Sequence, residues 1–192
     1  ADPHPGVVEV LGEVYHKQDQ FAEAVETYEI GLKAFPENVR LLVGMAASLG
    51  KLKDRERLKP ILERIIQLDG DQAAVRRLRA RIALEEEQYA EAIQYARLAL
   101  QIDVLDVETH RILGRAHAKL GDHAAAIDEF KVALQIKPEL ADVEVELAAS
   151  EAATGNSAGA LQRVEKVLEK DPAHAQALQL REQLQGGAES PP

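Results

Sequence analysis

Small residues recur in this sequence every 34 residues, and this interval limits the fold more than any other feature. One series consists of Gly12, Ala46, Ala80, Gly114 and Ala148. The same spacing relates Ala24, Ala92, Ala126 and Ala160, and also Pro36, Pro138 and Pro172. A constant period of this length is typical of a solenoid built from paired helices. Such a solenoid presents a long concave surface, which usually binds another protein.

The period divides the sequence into repeats without insertions, each with a helix A, a turn, a helix B and a second turn. The predicted repeats are residues 5–38, 39–72, 73–106, 107–140 and 141–174. In the first repeat, Val8, Leu11 and Tyr15 follow at three- and four-residue steps, so they share one face of helix A. Pro36 is expected to end helix B, because a proline disfavours helical conformation in the residue before it.

The first repeat also carries a recognisable motif: Val8-x2-Leu11-Gly12-x2-Tyr15, then Ala24-x3-Tyr28, then Pro36. It resembles the signature of the tetratricopeptide repeat family, W-x2-L-G-x2-Y, A-x3-F and P. The resemblance extends over residues 5–174. It implies an all-α, right-handed superhelical solenoid of five tandem helix-turn-helix repeats. A further amphipathic helix over residues 175–185 is expected to cap the last repeat, and residues 1–4 and 186–192 are expected to be flexible.

Two repeats depart from the motif. Pro60 falls inside helix B of the second repeat, where a proline removes a backbone hydrogen bond, so we expect that helix to begin late or to bend. In the third repeat, Arg76 and Arg79 stand where the family packs a large apolar residue. We expect Ile82 and its apolar neighbours to take over that packing through a small rotation of the helix.

Composition excludes several classes of function. The formal net charge is −10, which disfavours nucleic-acid and anionic-membrane partners because both require a basic face. No apolar run is long enough to insert into a membrane. Cys is absent, so disulfides, thiolate chemistry and Cys-based metal sites are not expected in any compartment. The sequence has no phosphate-binding glycine loop, nucleophile elbow or His-Glu-x-x-His motif, so we predict no enzyme activity, no cofactor and no metal.

A cluster of basic residues is predicted on the concave surface, which helix A of each repeat lines. Arg77 and Arg81 are four residues apart, as are Arg111 and Arg115, so each pair shares a helix face. Lys119 lies one turn beyond Arg115. Residues 73–140 carry 10 basic and 11 acidic residues, whereas the rest of the chain carries 13 and 22. Because arginine forks bind carboxylates through two hydrogen bonds, these residues indicate a site for an acidic peptide or a C-terminal carboxylate, with Arg40 at its edge.

An intramolecular role for the same arginines is an equal alternative. Glu108 is expected near Arg77 and Arg81, and Asp142 near Arg111 and Arg115, with Glu85 and Glu146 also close. The guanidinium groups could thus simply neutralise neighbouring carboxylates. Exposed pairs of this kind contribute only ~0–1 kcal/mol each. In the last repeat, a set of carboxylates is expected to form one acidic side of helix A: Glu144, Glu146 and Glu151.

Two functions remain open at this point. The first is a scaffold or adaptor that binds a partner protein or peptide in the concave groove. The second is an assembly module, either a segment of a larger protein or a homo-oligomer that uses its convex face or repeat ends. Some tetratricopeptide domains hold acidic chaperone C-termini through a clamp that includes an Asn. Chaperone binding is not implied here, because the corresponding positions carry no Asn: Glu13, Ala47, Arg81, Arg115 and Ala149.

Overall fold

The computed structural model describes residues 4–186, and these residues form eleven α-helices and no strand. The helices in the A positions are α1 (Pro5–Lys17), α3 (Val39–Leu52), α5 (Ala73–Glu85), α7 (Val107–Lys119), α9 (Ala141–Ala153) and α11 (Ala175–Gly186). Those in the B positions are α2 (Phe21–Ala34), α4 (Arg55–Leu68), α6 (Tyr89–Leu100), α8 (His123–Ile136) and α10 (Ser157–Lys170). No helix of residues 4–186 is long and apolar enough to cross a membrane. The expected flexibility of residues 1–3 and 187–192 lies outside the described residues.

The helices begin in strict register with the sequence period. Both series of helices restart every 34 residues, from residue 5 for A and from residue 21 for B. Short polar side chains cap several of these starts: Asn38 accepts a hydrogen bond from the Leu41 backbone N–H at 3.2 Å, and Asp54 accepts one from Arg57 at 3.1 Å. Such caps satisfy backbone donors that have no partner within the helix. The repeat length is therefore encoded locally at the helix ends as well as in the packing.

The turn between helix A and helix B has the same backbone conformation in every repeat. A residue with positive φ recurs at 34-residue intervals: Asp19 (59°), Lys53 (57°), Glu87 (61°), Gly121 (80°) and Gly155 (93°). Only glycine adopts this left-handed region without steric cost. The last two repeats therefore satisfy the turn with glycine, whereas the first three place a side-chain-bearing residue in the same geometry.

The chain divides into two compact units, and the boundary between Arg79 and Ala80 lies inside α5. The core of the first unit centres on the ring of Tyr28, which is almost fully buried. Helices α1 and α3 each present a glycine to this ring, because a Cβ at Gly12 or Gly44 would collide with it. Large aromatic residues and facing glycines thus set the close spacing of these helices.

Three of the apolar clusters in the second unit follow one another in chain order. The first combines α6 and α7, with Ala96 against Ile112 and Leu113. The second combines α8 and α9 around Phe130 and Leu147, and the third combines α9, α10 and α11. Helix α11 contributes Ala177, which is fully buried, to the third cluster. The last helix therefore packs on the preceding hairpin, as expected for a C-terminal capping helix.

Two local expectations from the sequence need correction. Helix α4 begins at Arg55, in phase with the other B helices, so the late start expected from Pro60 is wrong. The Asp54 cap and the buried side chains of Leu58 and Leu62 hold this helix although Pro60 lies within it. In α5, Ile82 is buried as expected, but Arg79 is buried too, because its Nε donates to Glu63 Oε1 at 2.9 Å.

Candidate functional site

Two arginines of α7 converge on one carboxylate of α9. Arg111 donates from Nε and Nη2 to the Glu146 carboxylate at 2.9–3.2 Å, engaging both oxygens through Nε. Arg115, one turn further along α7, donates from Nε to Glu146 Oε1 at 2.8 Å and also contacts it through Nη2. Residues four apart share a helix face, so both side chains reach the same point on the neighbouring helix. For this pair, the intramolecular role predicted as an alternative is observed.

Arg111 is the more enclosed of the two. Its side chain is 18% exposed against 39% for Arg115, and it also pairs with Asp142 at 3.3 Å. The hydrogen bonds that Arg111 donates to Glu146 raise the pKa of Arg111, against the opposing effect of burial. Arg111 therefore anchors Glu146, whereas Arg115 keeps part of its guanidinium open to solvent.

A cleft of about 600 Å³ opens beside this cluster within the second unit. Helix α7 contributes Arg115, Ala118 and Lys119 to it, and α9 contributes Glu146, Ala149 and Ser150. The remaining lining residues are Leu84, Glu85, Glu87, Tyr89, His123 and Phe130. The cleft thus combines apolar surface with charged groups, which is the usual composition of a ligand site.

The charges around the cleft are unequally distributed among its elements. Helix α7 supplies the basic groups, Arg115 and Lys119, while the end of α5 and the following turn supply Glu85 and Glu87. Glu146 is partly neutralised by its two arginines. The α7 side therefore attracts an anionic group, and the α5 side attracts a cationic one.

The other predicted site residues belong to several different elements. Arg81 is exposed on the part of α5 that belongs to the second unit, and Lys119 is exposed at the end of α7. Arg77 and Arg40 belong to the first unit, where Arg40 lies 3.8 Å from Glu9 and is 80% exposed. The structure thus brings Arg111, Arg115 and Lys119 together on one helix. The ionic role of Glu146 follows from its spacing, since it lies 35 and 31 residues after the two arginines, close to one period.

The predicted acidic side of α9 does not exist as a single face, so that expectation is wrong. Glu144 and Glu151 both bind Arg163 of α10, at 2.8 Å and 3.0 Å, whereas Glu146 points to α7. The hydrogen bonds that Arg163 donates to Glu151, and then those it donates to Glu144, raise the pKa of Arg163. Helical geometry separates these carboxylates because two-residue steps place side chains on different faces.

The histidines of α7 are structural. His110 and His117 are both buried. His110 contacts Glu129 at 2.7 Å and the Val104 carbonyl at 3.0 Å, and His117 contacts Asp122 at 3.3 Å. Each ring is thus engaged by a different carboxylate.

Comparisons with known proteins agree with this architecture. Three family models, each described as a tetratricopeptide repeat, match residues 9–38, 59–103 and 117–184. Together they cover about three quarters of the chain. A comparison with curated protein sequences gives no significant match.

Several solved structures share the fold. A crystal structure of MamA protein covers 98% of this chain and 97% of its own, with 18% identity and a TM-score of 0.82. MamA from Desulfovibrio magneticus RS-1, residue 41 to its end, covers 91% and 99%, with 15% identity and a TM-score of 0.81. YrrB, described as a TPR protein with an unusual peptide-binding site, covers 91% and 90%, with 17% identity and a TM-score of 0.83. The helical hairpins, the three family matches and these shared folds lead to one conclusion: the chain belongs to the tetratricopeptide repeat family.

Proposed function

We propose that this protein is an adaptor that binds a short segment of a partner protein in the cleft beside α7. The partner places a carboxylate against Arg115 and Lys119 and an apolar side chain on the surface formed by Leu84, Tyr89 and Ala149. The tetratricopeptide fold supports a protein-interaction module, and one structural neighbour is described as having a peptide-binding site. We assign the chain no catalytic role.

The observation that carries this proposal is the convergence of Arg111 and Arg115 on the Glu146 carboxylate. Two guanidinium groups around one carboxylate form a charge-assisted hydrogen-bond arrangement that suits any carboxylate brought to the same place. Glu146 is therefore an internal counterpart of the proposed ligand group. Because Arg111 binds Glu146 more extensively, Arg115 is the arginine whose N–H groups can be divided between Glu146 and a ligand carboxylate.

The residues have separate roles in this proposal. Arg111 positions Glu146, while Arg115 and Lys119 contact the ligand. We keep Arg81 as a further candidate contact on the second unit, and Arg77 and Arg40 as candidate contacts on the first. We also retain the five repeats over residues 5–174 and the cap over residues 175–185 as the proposed domain organisation.

A peptide selection followed by affinity measurements tests the proposal. Peptides are selected from a random displayed library against the whole chain, and binding of the selected peptides is measured by fluorescence anisotropy. We expect enrichment of acidic residues and an affinity that falls with salt, because exposed charge pairs are screened.

Variants assign the peptides to the cleft. Losing one charge-assisted contact costs ~1.5–3 kcal/mol, so Arg115→Ala and Lys119→Ala each weaken binding by roughly 10-fold or more. Arg97→Ala is the matched control, since Arg97 is an exposed arginine on α6 and does not line the cleft. Equal losses for Arg115→Ala and Arg97→Ala in folded variants contradict the proposed site.

A further inference from the structure

One face of the first helix is apolar and exposed. Its residues, which we call the α1 stripe, are Val7, Val10, Leu11 and Val14, and their exposure ranges from 42% to 63%. Their spacing of three, four and seven residues places them on a single side of α1. Scattered exposed apolar residues are common, whereas a contiguous row on one face marks an interaction surface.

The equivalent positions of another A helix, α7, are all buried. Adding three periods to the α1 stripe gives Thr109, Ile112, Leu113 and Ala116 of α7. These four residues are at most 2% exposed. In α3, three of the four equivalent residues are buried, Leu41, Met45 and Ser48, and Gly44 is half-buried. The α1 stripe therefore has the register of an internal helix interface, with its apolar residues left uncovered by the described chain.

Inside the second unit, the alanine-rich helix α6 packs on the α7 residues that are equivalent to the α1 stripe. Ala92 of α6 packs in one cluster with Ala116 of α7, and Ala96 of α6 packs in another with Ile112 and Leu113. The α6 residue Ala96 is small where the α7 residues Ile112 and Leu113 are large. In the first unit the sizes are exchanged, because the large Tyr28 ring of α2 lies against Gly44 of α3.

We propose that the α1 stripe binds an amphipathic α-helix of another protein, with small residues spaced like those of α6. Val10 takes the place of Ile112, so the partner presents alanine or glycine opposite it, and a second small residue four positions away faces Val14. This is the helix-in-groove mode of recognition, in which apolar anchors at helical spacing supply the contact. The surface is distinct from the cleft beside α7 and takes a helical ligand.

A second copy of the chain does not supply this ligand. The alanines that cover α7 are fully buried in the folded chain, so a folded copy has no such face to offer from α6. The last helix, α11, carries Gln179, Glu182 and Gln185 as exposed polar residues. Two α1 stripes facing each other would bury on the order of 600 Å² in total, about half of the roughly 1,200 Å² that a stable interface needs.

A titration followed by NMR tests this proposal on the whole chain. The probe is a synthetic peptide with the sequence of α6, Tyr89–Leu100, and its control carries Glu in place of the alanine that corresponds to Ala96. Amide shifts are recorded for the wild type, for Val10→Asp and for Ile30→Asp. Ile30 is the matched control, because it is an apolar residue of α2 that is 54% exposed and lies outside the stripe.

The expected result is saturable binding with shifts confined to α1, an affinity at least 10-fold weaker for Val10→Asp, and no change for Ile30→Asp. The control peptide should not bind. Absence of shifts in α1 at millimolar peptide, or equal binding by Val10→Asp, overturns the proposal. Sedimentation of the chain without peptide tests whether a second copy binds the stripe instead. If the measured mass of the wild type rises with concentration and that of Val10→Asp does not, the stripe belongs to a second copy and the proposal is overturned.

Discussion

The left-handed residue in each A–B turn leads to a pair of opposite predictions for stability. Gly121 has φ of 80°, and a Cβ added there would meet nothing within 4 Å. Gly121→Ala therefore changes only the backbone energy, not the packing. The same turn position in the second repeat holds Lys53 at φ of 57°, so Lys53→Gly makes the reverse change.

The magnitudes follow from two opposing terms. A side-chain-bearing residue in the left-handed region costs roughly 1–2 kcal/mol, whereas glycine adds about 0.4–1 kcal/mol of conformational freedom to the unfolded chain. Gly121→Ala should thus lower the free energy of unfolding by ~0.5–1.5 kcal/mol. Lys53→Gly should raise it by a similar ~0.5–1 kcal/mol.

Urea unfolding followed by circular dichroism at 222 nm measures both changes, with the slope expected to stay constant. Gly50→Ala is the matched control, because Gly50 lies inside α3 and an added Cβ would also meet nothing within 4 Å. That variant should be more stable by about 0.5–1 kcal/mol, since glycine is unfavourable inside a helix. If Gly121→Ala and Gly50→Ala shift stability in the same direction, the reasoning from backbone conformation is refuted.

Three further predictions concern packing, helix continuity and ionisation. Gly114→Ala should lose ~1–3 kcal/mol of stability in the same assay, because the new Cβ would lie 2.6 Å from a ring carbon of the buried Phe130. Pro60→Ala should raise the free energy of unfolding by about 1–3 kcal/mol, because α4 continues through this exposed proline and the alanine N–H restores a backbone hydrogen bond. An unchanged urea midpoint would contradict this prediction. Burial, together with Glu13 and Glu9, raises the pKa of Tyr28, so this group's contribution to stability is complete below the ordinary tyrosine pKa of about 10 and is lost as pH rises through the higher folded value. In an alkaline absorbance titration, the phenol step that Tyr28→Phe removes should lie above the ordinary tyrosine pKa of about 10, and a removed step at about 10 would exclude the shift.

The sequence predicted the fold because its period acts at several levels at once. Apolar spacing, capping residues such as Asn38 and Asp54, and small residues such as Gly12 all repeat with the same interval. Consistent local signals of this kind specify one structure. The late start expected of α4 was wrong because tertiary packing of Leu58 and Leu62 overrides the local cost of Pro60.

The site was less predictable, since it depends on which partner each charged side chain meets. The pairing of arginines on α7 followed from four-residue spacing, and the period placed Glu146 near them, whereas the convergence of both arginines on this one carboxylate depends on the packing of α7 against α9. Arg79 stands where the family packs an apolar residue, and the structure pairs it with Glu63 of α4. Sequence spacing identifies residues that share a face, but side-chain partners on other helices are set by three-dimensional packing.

The central claim is that Glu146 occupies the place of a ligand carboxylate, and the variant Glu146→Gln tests it most directly. Removing this charge leaves Arg115 available to the ligand, so a selected acidic peptide should bind about 3- to 10-fold more tightly, as expected for roughly 1 kcal/mol of relieved competition. Glu144→Gln is the matched control, because Glu144 lies on the same helix but pairs with Arg163 of α10. Tighter binding by Glu146→Gln alone is the predicted result. Unchanged or weaker binding, in a variant that keeps its thermal stability, would contradict the account.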